Sequence, residues 1–217
     1  MDIAIVLYDR FTALDAIGPY EVLSRLPGAR VRFVAEQAGP VRSDNGMLTV
    51  LAECSLKQAG QPEIVLVPGG PGEVVPRAGG AVLDWLREIH ETSTWTTSVC
   101  TGSLILAAAG LLEGQPATTH WLAIEELARL GAEPRSERVV FAGKIVTAAG
   151  VSAGIDMALT FAARLAGDTV AQAIQLAIEY DPQPPFDAGS PAKAPAEVVA
   201  LLRSRSRFEA EREEAAR

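Results

Sequence analysis

The chain has 217 residues, 48% of them hydrophobic and 21% charged, the balance of an ordinary globular protein and enough for one domain with a full core. Nineteen Lys and Arg stand against 27 Asp and Glu, a formal net charge of −8. Such a surface repels phosphate backbones and argues against a nucleic-acid partner held by bulk electrostatics. The two cysteines, Cys54 and Cys100, are too few for a disulfide framework and too far apart for a CxxC pair. With no basic leader after Met1 and no run near the ~20 apolar residues of a membrane span, the sequence reads as a cytoplasmic protein with reduced thiols.

In chain order, Ile3–Tyr8 is a short apolar run fit for a buried strand. Gly18–Pro19 opens a helix over Tyr20–Leu26, with proline at a favoured first-turn position. Val31–Ala35 is the next strand and Met47–Leu51 a weaker one. The strand Glu63–Val67 ends in the turn Pro68-Gly69-Gly70-Pro71-Gly72, which leaves much backbone exposed. A helix follows over Ala81–His90. Thr94–Val99 is β-rich and runs directly into Cys100, after which Thr101–Leu112 is an Ala-rich helix. Trp121–Leu130 is amphipathic, Arg138–Ala142 and Lys144–Ala148 form a hairpin around Gly143, and Ser152–Ala166 is a long apolar helix. Strands separated by helices predict an open, mostly parallel α/β sheet with helices on both faces. The segment Asp181–Pro195 carries five prolines, and a helix from Ala196 to about Arg212 closes the chain. Residues 1–190 read as one domain and 191–217 as its helical appendage.

Cys100 is the first candidate for chemistry. A side chain on a sharp strand-to-helix turn is pushed out at the carboxyl edge of the sheet, as in a nucleophile elbow, and a helix amino terminus lowers a thiol's pKa. The bland alternative is a buried structural cysteine, which is the reading for Cys54. Backbone amides of the glycine turn, at Gly70 and Gly72, could point into the cleft and stabilise charge on a substrate held at Cys100. Asp15 and Glu21 follow the first strand and so approach the same edge. Asp15 could shuttle protons for the thiol or merely cap a helix, and Glu21 suits a solvated helix face. His120, beside Trp121, could pair with the thiol or contact substrate. His90 sits among Glu88 and Glu91 on a charged helix. Two histidines without further ligands at suitable spacing make a metal site improbable.

Taken together, the opening strand, Pro68-Gly69-Gly70, the Val99-Cys100-Thr101-Gly102 elbow, Ala117-Thr118-Thr119-His120-Trp121 and Ala148-Ala149-Gly150 leading into Ser152-Ala153-Gly154-Ile155-Asp156 resemble the ThiJ/PfpI superfamily, related to class I glutamine amidotransferase domains. The resemblance implies a flavodoxin-like fold. Leu14-Asp15-Ala16-Ile17-Gly18-Pro19 and Ile178-Glu179-Tyr180-Asp181-Pro182-Gln183-Pro184-Pro185-Phe186-Asp187 are similar to its isonitrile hydratase branch, which carries aspartate where most of the superfamily carries glutamate. Thr101 stands where protease- and deglycase-like relatives often have histidine.

That branch adds water to an isonitrile to give an N-substituted formamide. The resemblance therefore implies a Cys100 thioimidate, with Asp15 as acid and then base. It implies Thr101 with the amides of Gly70 and Gly72 holding the substrate and the leaving thiolate, no cofactor, no metal and a homodimer. Three rivals remain: a glyoxalase-, deglycase- or amidase-like thiol enzyme of the same superfamily, a ligand-sensing domain of the kind found in AraC-type regulators, and a redox sensor built on Cys100.

Overall fold

The computed structural model describes residues 1–209. In chain order the strands are β1 (Asp2–Val6), β2 (Arg30–Ala35), β3 (Gly39–Arg42), β4 (Thr49–Ala52), β5 (Cys54–Ser55), β6 (Ile64–Val67), β7 (Trp95–Val99), β8 (Pro116–Ala117), β9 (Glu133–Pro134), β10 (Val139–Ala142) and β11 (Ile145–Ala148). The helices are α1 (Ala13–Leu23), α2 (Val74–Ala78), α3 (Ala81–Thr92), α4 (Gly102–Ala108), α5 (Ile124–Arg129), α6 (Ala153–Ala166), α7 (Asp168–Ala177) and α8 (Ala196–Ser204).

Seven strands form the main sheet in the order β10-β11-β7-β6-β1-β2-β5. Every pairing in it is parallel except β10 with β11. The central strands explain this arrangement. Every residue of β6 and β11 is buried, as are the last four of β1 and of β7, so both sheet faces must be covered by helices. One group, α1, α6 and α7, packs together, and another gathers α2, α3 and α5 around α4. The expected flavodoxin-like architecture is the one found.

The order of strands creates the site. From β1 the chain moves outward to β2 and β5, then returns to the other side of β1 as β6 and continues to β7 and β11. The connections leaving β1 and β6 therefore diverge, and a crevice opens beyond the carboxyl ends of these strands. The segments after β1, β6, β7 and β11 all reach it.

Several boundaries differ from the sequence reading. Helix α1 begins at Ala13, not at Tyr20, and carries Pro19 inside it. Pro19 has no N–H to give the carbonyl of Asp15, one turn earlier, but the rest of the helix continues through it. Helix α4 stops at Ala108, where the turn through Gly110, with a φ of 83°, ends it. Trp121–Leu130 divides into a short 3-10 turn, Trp121–Ala123, and α5. Strand β3, which pairs with β4 as a separate hairpin, and helix α7 had no counterpart in the sequence reading. The closing helix breaks after Ser204, the chain is helical again over 207–209, and the expected end near Arg212 lies in residues 210–217, outside the described residues. No helix among the described residues is long and apolar enough to cross a membrane.

Candidate active site

Cys100 occupies the elbow between β7 and α4, with a φ of 56°. A non-glycine residue rarely adopts this left-handed conformation, which costs on the order of 1–2 kcal/mol. The surroundings fix it. The Cys100 amide donates to the carbonyls of Ala148 (3.1 Å) and Ala149 (2.9 Å) at the end of β11. The Cys100 carbonyl accepts from the hydroxyls of Ser103 (3.1 Å) and Thr119 (3.0 Å). Immediately after the elbow, α4 runs against the end of β6. A Cβ at Gly102 would lie 2.1 Å from the Val67 carbonyl oxygen, so only glycine permits that approach.

The thiol itself is buried, at 5% exposure. Backbone amides of Thr101 and Val151 hydrogen-bond the sulfur and favour its ionised form. They do not prevail. Desolvation first, and the neighbouring Asp15 charge second, push the Cys100 thiol well above its ordinary value. The sequence reading expected a lowered thiol pKa from the helix amino terminus. The correction is physical: burial beside a carboxylate outweighs two amide donors.

Asp15 lies in the first turn of α1 and is fully buried. Its Oδ2 accepts the Gly69 amide at 2.9 Å. Its Oδ1 is buried with no N–H or O–H donor among the described residues, and the Cys100 thiol is the polar hydrogen that faces the carboxyl. Desolvation raises the Asp15 pKa to about 7, against the lowering effects of the Gly69 amide and the Cys100 thiol. A buried carboxyl thus sits beside a buried thiol, and each holds its proton to a higher pH than it would in water.

The glycine turn serves this pair differently from the expectation. The amides of Gly70 and Gly72, expected to face substrate, are already committed. Gly70 donates to Thr101 Oγ1 at 2.9 Å and Gly72 to the Arg10 carbonyl at 3.2 Å. Both glycines tie loops together, and the sulfur takes its donors from Thr101 and Val151 instead. Gly69, which the sequence reading includes in the turn but not among its site residues, is the residue that grips Asp15. A Cβ there would lie 2.4 Å from the Thr101 nitrogen, 2.6 Å from Thr101 Oγ1 and 3.0 Å from Asp15 Oδ2.

Tyr8 was also missed. Its hydroxyl donates to the Pro68 carbonyl at 2.7 Å in a buried contact. Burial and the charges of Asp15, Glu73 and Cys100 hold its pKa well above the ordinary value. Nothing about a tyrosine two residues past a strand marks it in advance, since only the return of β6 beside β1 brings Pro68 to it.

His120 caps the turn before α5. Its Nδ1 accepts the Leu122 amide at 3.3 Å, burial lowers its pKa, and its ring packs where a Cβ on Gly150 would be, 2.9 Å from Cδ2. The ring thus lies beside the segment that delivers the Val151 amide, with its Nδ1 already engaged. Glu21 is exposed and pairs with Arg25, on the solvated face expected of it. His90 departs from its expected solvated place: it is partly buried and its Nδ1 lies 2.8 Å from the Thr96 hydroxyl. No cluster of His, Cys, Asp and Glu suited to a metal ion occurs among the described residues. A cavity of about 550 Å³ adjoins the glycine turn, with Tyr8, Arg10, Val41, Gly72 and Val75 among its lining residues, but neither Cys100 nor Asp15 lines it.

Comparison with known proteins places this geometry in a lineage. The DJ-1/PfpI family matches residues 1–164. The chain is 42% identical over 210 residues to the isonitrile hydratase of Pseudomonas putida, covering 95% of this chain and 90% of that protein. A crystal structure of a ThiJ/PfpI family protein from Pseudomonas syringae superposes with a TM-score of 0.91 at 38% identity, over 94% of this chain and 84% of that one. The HTH-type transcriptional regulator CdhR of Pseudomonas aeruginosa is 30% identical over 73% of this chain, which spans only 48% of the regulator. With its fold, its elbow cysteine and these likenesses, the chain belongs to the DJ-1/PfpI family.

Proposed function

We propose that this protein is an isonitrile hydratase, converting R–N≡C to an N-substituted formamide through a covalent thioimidate on Cys100. The single observation that carries the reading is the near-full-length likeness to the isonitrile hydratase of Pseudomonas putida. The site supplies chemistry that suits it. Asp15 takes the proton of the Cys100 thiol as sulfur attacks the terminal isonitrile carbon, and returns that proton to the same carbon, giving R–N=CH–S–Cys100. Ionised again, Asp15 draws a proton from water as the water oxygen attacks the carbon, and passes it to the nitrogen. Collapse of R–NH–CH(OH)–S–Cys100 forms the carbonyl and expels sulfur, and the hydroxyl proton returns to the thiol–carboxylate pair. One carboxylate acts alternately as base and acid, and the sulfur is consumed and restored.

The amides of Thr101 and Val151, which already bond the sulfur, would steady it as the leaving thiolate, and His120 contacts the substrate. The chemistry calls for no cofactor and no metal. Residues 1–190 form the catalytic domain and 191–217 its appendage. The protein works as a cytoplasmic homodimer, and its acidic charge is consistent with a small uncharged substrate and no nucleic acid.

The test is turnover of an alkyl isonitrile such as the cyclohexyl compound, followed as formamide by chromatography. Formamide production that disappears in Cys100→Ala supports the reading. Turnover that survives in Cys100→Ala removes the covalent route. A native protein that is inert toward isonitriles, yet whose Cys100 is alkylated, belongs to another thiol chemistry of the family.

A further inference from the structure

After α8 the chain turns back toward the glycine turn, where Phe208 is buried at 7% exposure and Arg207 reaches residues more than a hundred positions earlier. One arm of the Arg207 guanidinium, Nη1, donates to the Pro71 carbonyl at 3.2 Å. The other, Nη2, pairs with Oε1 of Glu73. Glu73 is fully buried, and Arg77 Nε approaches its Oε2 at 3.1 Å. Arg77 continues to Glu126, which also pairs with Arg129. A fully buried carboxylate persists only when it is paired, so Glu73 obliges cations to stay at this turn.

The same turn faces the catalytic pair on its other side. Gly69 holds Asp15 by its amide and Thr12 by its carbonyl, at 2.9 and 2.8 Å. Gly70 holds Thr101, and the Pro68 carbonyl holds Tyr8. The five residues from Gly69 to Glu73 are thus gripped from inside by the reacting residues and from outside by Arg207.

We propose that Arg207 is a positioning residue, through which the C-terminal segment clamps the Gly69–Glu73 turn and so fixes the Asp15 carboxyl against the Cys100 thiol. The fork geometry suits the task, because guanidinium alone can hold the Pro71 carbonyl and the Glu73 carboxylate at once in a fixed plane. Lysine would keep the charge and lose one arm. The effect on turnover rests on the hydratase reading; the effect on the thiol does not.

The experiment compares the full-length protein with Arg207→Gln, Arg207→Lys and, as a control on the same appendage, Arg203→Gln, whose guanidinium lies 6.0 Å from the Trp121 ring centroid. Three quantities are measured: kcat and KM on an alkyl isonitrile, the rate of Cys100 alkylation by iodoacetamide at pH 8 in a Cys54→Ser background, and Tm. In Arg207→Gln, kcat should fall about tenfold with KM held within about twofold, as misplacement of a catalytic group produces. Alkylation should quicken at least about threefold as the Asp15 charge loosens its hold on the thiol. Arg207→Lys should fall between, and Arg203→Gln should match the native protein.

A lowered Tm in Arg207→Gln with kcat and alkylation both native would overturn the proposal and leave Arg207 a structural tether. Should Arg207→Gln not fold, Arg207→Lys decides: native kcat and native alkylation there overturn the proposal equally. Altered alkylation in a protein whose native form does not hydrate isonitriles would uphold the clamp and remove the hydratase reading alone.

Discussion

The two cysteines invite comparison because one fold gives them opposite fates. Cys54 begins β5, a two-residue strand at the edge of the sheet, half-buried, with Arg32 Nη1 at 3.8 Å from its sulfur. Cys100 sits at the sheet's carboxyl edge, more deeply buried, strained at a φ of 56° and in contact with a carboxyl. By a simple rule for thiol reactivity, proximity to a cation favours the thiolate and burial opposes it, and that rule ranks them the wrong way round. On the proposed route, what sets Cys100 apart is a proton acceptor, Asp15, matched to the moment of reaction. Asp15 discourages ionisation at rest, and in the proposed reaction it accepts the proton when sulfur finds an electrophile. Reactivity here belongs to the pair and to the backbone that presents it.

The largest way to break this contrast is to remove the sulfur. Cys100→Ala should lose at least ~10⁴-fold in turnover, the scale seen when a catalytic nucleophile is deleted, measured as formamide release from an alkyl isonitrile. Removing the acceptor comes next. Asp15→Asn should cost roughly 10²–10³-fold in kcat, the share a positioned acid–base group supplies. The same substitution should make Cys100 easier to alkylate at pH 8, because the Asp15 charge that opposes thiolate formation is gone. Slower alkylation in Asp15→Asn would contradict the electrostatic account while leaving the catalytic one standing.

The Asp15 pKa of about 7, against 3.8 for an ordinary aspartate, makes two further predictions with definite signs. On the proposed route the working form of the pair carries one proton, on sulfur, with Asp15 ionised. Below about pH 7 Asp15 takes up a proton and the thiol loses its acceptor, so kcat/KM should decline on the acid side with an apparent pKa near that value. For stability, the folded state holds the Asp15 proton between about pH 4 and pH 7 where the unfolded chain has released it. Stability from this group is therefore present in full at low pH and is lost as pH rises through about 7. Asp15→Asn should accordingly be the more stable protein above pH 8, by about 4 kcal/mol, with the gap closing toward pH 4 in urea titrations at each pH.

Gly69→Ala is a smaller perturbation aimed at the junction of the pair. Its methyl group would press on the Thr101 backbone and on Asp15 Oδ2. Overpacking of this kind costs about 1–3 kcal/mol, read as a lower Tm, and the displaced carboxyl should lower kcat by about tenfold.

The sequence made the α/β order, the elbow and the candidacy of Cys100 and Asp15 legible, because strand-to-helix transitions and glycine turns are local signals. The interaction partners were less so. That Gly69, rather than Gly70 or Gly72, grips Asp15 depends on which way the turn after β6 faces, and the Val151 amide depends on how β11 pairs with β7. Neither is encoded within a few residues. The sequence places the start of α1 about two turns too late because Pro19 looks like a first-turn residue, whereas the helix accommodates it internally beside α6. The thiol pKa was misjudged in direction because a helix amino terminus is visible in sequence and desolvation is not.

Cys54→Ser carries the smallest expected effect and sharpens the comparison most. The half-buried sulfur accepts a long contact from Arg32, whose Nη2 is anchored on the Ala59 carbonyl at 2.7 Å. A serine oxygen can take the same donor in nearly the same space, so stability should change by less than about 0.5 kcal/mol, as for ordinary surface replacements. Turnover and its pH profile should be native, because β5 lies three strands away from β6 and four from β7. A thiol titration of this variant then reports Cys100 alone. A loss of turnover in Cys54→Ser would mean that the edge cysteine communicates with the elbow across the sheet, and the division of labour between the two thiols drawn from their surroundings would have to be abandoned.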